Sequence, residues 1–242
     1  MVGLLLWKEE RTGGRAVTLR EQSILQMRFL CAEILRTPKT PETLCRRRLT
    51  AAAKQLRKRG VTRVILPREF PFCGLPEAWG LQRVSTASLR QALAADWVRW
   101  LLAQRGVPAA SARVAVCADR LTGEVVRTVT ELALRHRYVR LDLPYGGEEL
   151  CRRLRREYGV SLLTGLSAEQ MRETEAAVLF APGRDCRTAA ALRLYDEETP
   201  LPPLSLPPAL EERLPAGVDR GQLLAVLRES GVIRPGQITI GV

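Results

Sequence analysis

The residues best suited to ligand chemistry form the segment 118–123, with the sequence Ala-Asp-Arg-Leu-Thr-Gly. Dinucleotide-binding turns carry G-x-G-x-x-G, because the second glycine lets the backbone approach a pyrophosphate at the positive end of a helix. Here only the third glycine is present, as Gly123, and Arg120 replaces the second. The Arg120 guanidinium would fill the pyrophosphate space, but it suits a single phosphate or carboxylate. The turn therefore predicts a small anionic ligand and no ordinary dinucleotide chemistry.

Asp142 extends this candidate site. It follows Gly123 by 19 residues, the position at which dinucleotide-binding proteins place the acid that holds a ribose hydroxyl. A nucleotide is thus the one cofactor with which the turn is still compatible, and no cofactor is assigned. Because residues 139–143 alternate apolar and polar, a solvated strand face is the simpler explanation of Asp142. The predicted ligand-binding residues are Asp119, Arg120, Thr122, Gly123, Asp142 and Arg184.

Recognisable catalytic motifs are lacking in the sequence. It contains no G-x-S-x-G, Walker loop or H-E-x-x-H, and its single histidine, His136, is expected to cap a helix end. The six cysteines form no C-x-x-C pair, so we predict free core thiols and no metal site. A binding protein is favoured over an enzyme. The alternative is a two-domain enzyme acting on a phosphorylated or carboxylated substrate, with or without a nucleotide, beside the helix 86–105.

The net charge of +12 is concentrated near the N-terminus, where residues 1–60 hold 14 Lys/Arg against 5 Asp/Glu. Arginine supplies 34 of the 38 basic residues, which is typical of a GC-rich bacterial genome. Two basic surfaces are predicted on helices: Arg46, Arg47, Lys54, Arg57 and Lys58 on helix 41–59, and Arg152, Arg153, Arg155 and Arg156 on a second. Solvation alone explains such faces; an acidic protein partner or electrostatic nucleic-acid binding are the alternatives. Aromatic residues are only 5% and none interleaves with the basic runs, which disfavours stacking on a single strand.

The elements that would position the candidate site alternate regularly. Apolar runs at 114–117, 139–143, 160–163 and 177–181 are separated by amphipathic helices at 122–136, 148–157 and 168–175. Three successive crossovers predict a parallel sheet with right-handed connections, a Rossmann-like βαβαβαβ fold over about 109–198. Within it, the segments 101–102, 106–107 and 114–117 and the residue Gly123 have spacings similar to the cofactor domain of the methylenetetrahydrofolate dehydrogenase/cyclohydrolase family. That family's glycine-arginine-serine triplet would fall on residues 117–119, which differ completely, so the resemblance implies the fold alone.

The rest of the chain is predicted as further α/β structure. Residues 1–86 form an N-terminal α/β domain, with a strand at 2–7, a helix at 18–36 opened by a Thr18–Glu21 capping box, the basic helix 41–59 and a strand at 61–66. A long connecting helix is expected over 87–107, and 199–242 is predicted as a proline-rich linker followed by a helix and strand. No segment has the roughly 18–20 apolar residues of a membrane helix, and the start lacks a signal-peptide pattern. We therefore expect a cytoplasmic protein with no membrane partner.

Overall fold

The computed structural model describes residues 1–9, 15–72, 74–183 and 190–241. Its first elements are β1 (Val2–Lys8), β2 (Val17–Ile24), β3 (Met27–Leu35), α1 (Glu42–Lys58), β4 (Arg63–Ile65), a 3₁₀ helix (Glu77–Trp79), β5 (Gln82–Arg83), α2 (Ala87–Ala92) and α3 (Ala94–Gln104). Then follow β6 (Arg113–Cys117), α4 (Gly123–Ala133), β7 (Tyr138–Asp142), α5 (Gly147–Tyr158), β8 (Leu163–Thr164), α6 (Ala168–Arg172), β9 (Ala176–Leu179) and β10 (Ala191–Arg193). The last elements are β11 (Leu204–Ser205), α7 (Pro208–Glu211), α8 (Arg220–Glu229), a second 3₁₀ helix (Pro235–Gln237) and β12 (Thr239–Ile240).

The chain forms two compact units, each built around a five-stranded sheet. The first unit contains residues 1–86 and 204–239, and the second contains residues 87–203 and 240–242. Both sheets are flanked by helices, so the predicted α/β class is confirmed. The strand order of the second unit also confirms its Rossmann-like character.

In the first unit the strands are ordered β2-β3-β1-β4-β5, and every neighbouring pair is parallel except the β2–β3 hairpin. The helix α1 buries Cys45, Leu49 and Leu56 in a core that includes strand residues. The C-terminal helix α8 is tied to the end of β4, because the buried Gln222 side chain accepts a hydrogen bond from the Leu66 N–H (2.9 Å). The segment 204–239 therefore completes the first unit.

The prediction of a helix over residues 18–36 is wrong, since these residues form the β2–β3 hairpin. The strand β3 is buried on both faces through residues 29–32, and a continuous apolar run cannot be distinguished from a buried helix by periodicity. Thr18, expected as a helix cap, instead accepts from Lys8 Nζ (2.9 Å) and donates to Glu33 (3.3 Å) across the sheet. The connecting turn, Leu25-Gln26, adopts positive φ without the Gly or Asn that would mark it in a sequence.

In the second unit the strands are ordered β10-β9-β6-β7-β8, and all neighbours are parallel. The helices α4 and α5 lie close to their predicted positions, and Ser167 and Gln170 form a capping box at the start of α6. The strand β8 starts later than expected, and β10 was not predicted because it has only three residues. The long helix expected over 87–107 is divided at Leu93 into α2 and α3, although the Leu93 N–H still donates to Leu89 O (3.0 Å).

Candidate functional site

The carboxyl ends of β6 and β9 lie side by side at the point where the strand order of the second sheet reverses. From β6 the chain adds β7 and β8 on one side, and it then places β9 and β10 on the other. The Phe180 N–H, directly after β9, donates to Cys117 O at the end of β6 (2.9 Å). Ligands of open parallel sheets bind outside such a reversal, and the segment 118–123 leaves β6 at this place. The predicted site residue Arg184, downstream of β9, lies outside the described residues.

The turn between β6 and α4 exposes Asp119 and Arg120. Thr122 is the N-cap of α4, and its hydroxyl accepts from the Val125 N–H (3.3 Å). The N–H groups of Gly123 and of the next residue belong to the first turn, where an α-helix provides no intrahelical acceptor. Arg120 thus comes just before the start of α4 in the sequence, and both its guanidinium and the positive end of the helix dipole favour an anion.

Asp142 lies next to this turn. As the last residue of β7 it is paired with Cys117 of β6, and its carbonyl oxygen accepts from the Ala118 N–H (3.1 Å). The backbone thus brings the two halves of the predicted site to the same edge of the sheet. This edge also carries acids, because Glu124 stands in the first turn of α4. An anion bound here would depend on Arg120 and the helix amides to offset these carboxylates.

Gly123 does not perform the packing role of the third glycine in a dinucleotide fingerprint, which allows helix and strand to approach closely. A Cβ added at Gly123 would meet no atom within 4 Å, and its φ is not in the left-handed region. This finding agrees with the absence of the first two glycines, whose positions are held by Ala118 and Arg120.

Two exposed apolar side chains at the same edge were missed in the sequence. Leu121 is 41% exposed and Tyr145, in the loop after β7, is 84% exposed. Their loops are neighbours, since a Cβ at Gly146 would lie 3.3 Å from Leu121 Cδ2, and Gly146 has a φ of +78°. A Gly-Gly pair is typical of a turn, so Gly146-Gly147 is the sequence signal that could have pointed to this close approach. The edge therefore offers apolar contacts beside its polar groups.

The sequence predicted that His136 caps the end of its own helix, but the imidazole does not do so. The ring is buried, with 3% exposure, and Nδ1 lies 3.0 Å from Ala109 O in the preceding loop. Nε2 is buried without a hydrogen-bond partner among the described residues. Burial lowers the pKa of His136, an effect that Arg135 and Arg99 reinforce and the hydrogen bond to Ala109 opposes. The neutral imidazole thus serves as a link between two loops.

The predicted basic surface of α1 is exposed and largely unpaired. Arg46 forms an ion pair with Glu42 (2.9 Å). In the described part of the chain, the other four basic residues of this face have no acidic partner: Arg47, Lys54, Arg57 and Lys58. Because Glu42 is the only acid in α1, the positive charge of this face is not neutralised by its own helix.

Aromatic rings lie against the basic face of α1, a feature that was not predicted from the sequence. Lys54 Nζ is 4.4 Å from the centroid of Trp79, and Arg46 Cζ is 5.4 Å from that of Phe72. Two shallow grooves that share Lys54 run along the helix. The first has a volume of about 380 Å³ and is lined by Arg46, Arg47, Thr50, Ala51 and Lys54. The second, of about 320 Å³, is lined by Lys54, Gln55, Arg57, Lys58 and Trp79.

The other predicted basic surface, on α5, belongs to the second unit. Its arginines Arg152, Arg153, Arg155 and Arg156 share a helix of 12 residues with three acids. Arg152 pairs with Glu149 (2.6 Å), and Arg156 lies 4.0 Å from Glu157. The charge of α5 is therefore largely balanced within the helix, unlike that of α1.

The described cysteines do not form a reactive site. Cys31, Cys45 and Cys117 are free and buried, while Cys151 is free and half-buried. Burial raises the pKa of the Cys31 thiol to about 11, which opposes thiolate chemistry. In the ranges that the structure describes, no three His, Cys, Asp or Glu residues are grouped as metal ligands would be. None of the described helices combines the length and apolarity needed to cross a membrane.

Comparison with known proteins identifies no family. No family model matches the chain, and no curated protein matches it. Among solved structures, shikimate 5-dehydrogenase from Listeria monocytogenes, in complex with shikimate and NAD, has a TM-score of 0.26 and 9% identity, covering 62% of this chain and 57% of that one. L-tryptophan dehydrogenase from Nostoc punctiforme has a TM-score of 0.25 and 12% identity, covering 62% and 43%. The match therefore spans 57% of the length of the first of these proteins and 43% of the length of the second.

Proposed function

We propose that the second unit is a binding module for a small anionic ligand, held at the carboxyl edge of its sheet. The observation that carries this proposal is the hydrogen bond from Ala118 N–H to Asp142 O (3.1 Å), because it joins the β6–α4 turn to the end of β7 beside the strand reversal. Arg120 and the first amides of α4 would hold one phosphate or carboxylate. Asp142 would accept hydrogen bonds from hydroxyl groups of the same ligand.

The exposed Leu121 and Tyr145 support a ligand that also has an apolar or ring-shaped part. A mononucleotide combines one phosphate, ribose hydroxyls and a planar base, and it therefore matches this set of groups. A dinucleotide does not, because Arg120 stands where the backbone would have to approach the pyrophosphate. The proposal is a binding function, without an assigned reaction.

The test is isothermal titration calorimetry with AMP, orthophosphate, NAD⁺ and S-adenosylmethionine, using the wild type and Arg120→Ala. The matched control is Arg135→Ala, since this exposed arginine lies beyond the opposite end of α4, and its one side-chain hydrogen bond to a described residue goes to Glu131 O (3.5 Å). We expect AMP to bind and Arg120→Ala to weaken it about 10- to 150-fold, the equivalent of one lost charge-assisted hydrogen bond. Arg135→Ala should bind like the wild type.

Asp142→Asn should weaken AMP more than orthophosphate, because only AMP carries the hydroxyl groups. Tighter binding of NAD⁺ than of AMP would refute the proposed ligand class. Unchanged AMP affinity in Arg120→Ala, or no heat from any of these compounds, would refute the site.

A further inference from the structure

We propose that the outward face of α1, together with Trp79, binds single-stranded nucleic acid. This surface belongs to the first unit, whereas the proposed ligand site belongs to the second. Its occupant must be a polyanion with planar rings. Charge selects the polyanion and the tryptophan selects the rings.

The charge of this face is arranged as a row. Arg47, Lys54 and Lys58 lie near one line along α1, given the helical rotation of about 100° per residue, and all three are exposed. At 1.5 Å of rise per residue, the row from Arg47 to Lys58 is about 16 Å long. A strand with the 3.4 Å axial spacing of stacked bases would place about five phosphates along it. Arg57 adds a fourth cation beside the row, again with no acidic partner among the residues that the structure describes.

Opposing acids are few near this row. Glu42 is already bound to Arg46 at the start of α1, and such an exposed i,i+4 pair is easily broken. Glu77 opens the 3₁₀ helix that carries Trp79 and is exposed. The excess of cations remains, so entry of phosphates would release counterions and favour binding.

Trp79 distinguishes this surface from a merely solvated basic helix. The ring packs on the core of the first unit with part of its surface lining the groove beside Arg57 and Lys58. Lys54 covers it at 4.4 Å, and this exposed side chain can move to a phosphate when a base stacks on the indole. Bases are accessible for such stacking in single strands, whereas in a duplex they are already stacked. An acidic protein would use the cations but would gain nothing comparable from the ring.

The experiment measures anisotropy of a labelled dT12 oligonucleotide at several salt concentrations between 50 and 200 mM, chosen because these cover the range of steep salt dependence. The first variant is Arg47→Ala/Lys54→Ala/Lys58→Ala. The matched control removes the same charge from α5 in a second triple variant, Arg152→Ala/Arg155→Ala/Arg156→Ala. Only the α1 variant should weaken binding strongly, by 10-fold or more at the lower salt, and it should reduce the slope of log K against log salt by about 2.

The stacking part is tested by Trp79→Leu, with Trp79→Phe as the conservative variant and circular dichroism as a check of folding. Trp79→Leu should weaken dT12 by roughly 5- to 150-fold, as expected for one lost base stack, and Trp79→Phe should retain most of the affinity. A polyglutamate peptide serves as the acidic-protein probe, and neither Trp79→Leu nor Trp79→Phe should change the affinity of the protein for it.

Three results would overturn the proposal. Equal losses in the two triple variants would show that only the total charge matters. Binding of polyglutamate as tight as that of dT12, with no effect of Trp79→Leu on either, would indicate an acidic protein partner. No binding of dT12 by the wild type at 50 mM salt would show that the surface is only solvated.

Discussion

Gly3 in the central strand β1 offers a direct test of how tightly the first unit is packed. A Cβ at this position would lie 2.9 Å from Val61 Cγ1 and 3.4 Å from Leu56 Cδ1. Both neighbours are fully buried at 0% exposure, so neither can move toward solvent. Overpacking of this kind costs about 1–3 kcal/mol, while Ala in a strand gains about 0.5–1 kcal/mol over Gly. The difference lies between about 0 and 2.5 kcal/mol, and we expect Gly3→Ala to lower the free energy of unfolding by about 1 kcal/mol, the middle of this range.

A double-mutant cycle with Val61→Ala isolates the clash. Val61→Ala alone loses buried methyl groups, at about 0.8 kcal/mol for each, and leaves a cavity. In the double variant the methyl group introduced by Gly3→Ala occupies part of this space, so the protein should be more stable than the sum of the single effects by about 1–2 kcal/mol. Urea unfolding followed by circular dichroism measures all four proteins.

Gly123→Ala is the matched control for this cycle, because its Cβ would enter open space. It should be neutral or stabilising, by up to about 1 kcal/mol, since alanine restricts the unfolded chain. The packing argument would fail if Gly3→Ala and Gly123→Ala had the same effect, or if the effects of the Gly3 and Val61 substitutions were simply additive.

Three further perturbations test other features. Gln26→Gly should raise the urea midpoint through a gain of about 1 kcal/mol, because the exposed Gln26 holds a left-handed φ of 72°; a lower midpoint would contradict this. Arg90→Met should lower the free energy of unfolding by about 2–5 kcal/mol, since the buried guanidinium (2% exposed) donates to the carbonyls of Glu197 (3.2 Å) and Thr199 (2.6 Å). A change smaller than the error of urea unfolding would show that these hydrogen bonds do not stabilise the fold. The lowered pKa of His136 means that below about pH 6.5 the unfolded chain binds a proton that the folded chain does not, so the free energy of unfolding should fall with decreasing pH. The fall should be smaller in His136→Gln, and identical slopes in the two proteins would refute it.

The local signals of the second unit were sufficient to predict its Rossmann-like sheet. Apolar runs alternate with strongly amphipathic helices, and Thr122 and Ser167 mark helix starts through hydrogen bonds to amides only three residues away. Once strands and helices alternate in this way, the parallel direction follows from the crossovers. The proximity of the β6–α4 turn to Asp142 followed in turn, because both end neighbouring parallel strands.

The tertiary structure decided what depends on residues far apart in the chain. The hairpin β2–β3 arises from cross-strand pairs such as Thr18 and Glu33, while the isolated segment carries a pattern that a helix would also satisfy. The position of Trp79 over α1 is set by core packing between segments separated by the strand β4, so no interleaving of aromatic and basic residues was visible in the sequence. Periodicity and capping are local properties of the chain, whereas the pairing of strands and the meeting of side chains depend on the free energy of the whole packed unit.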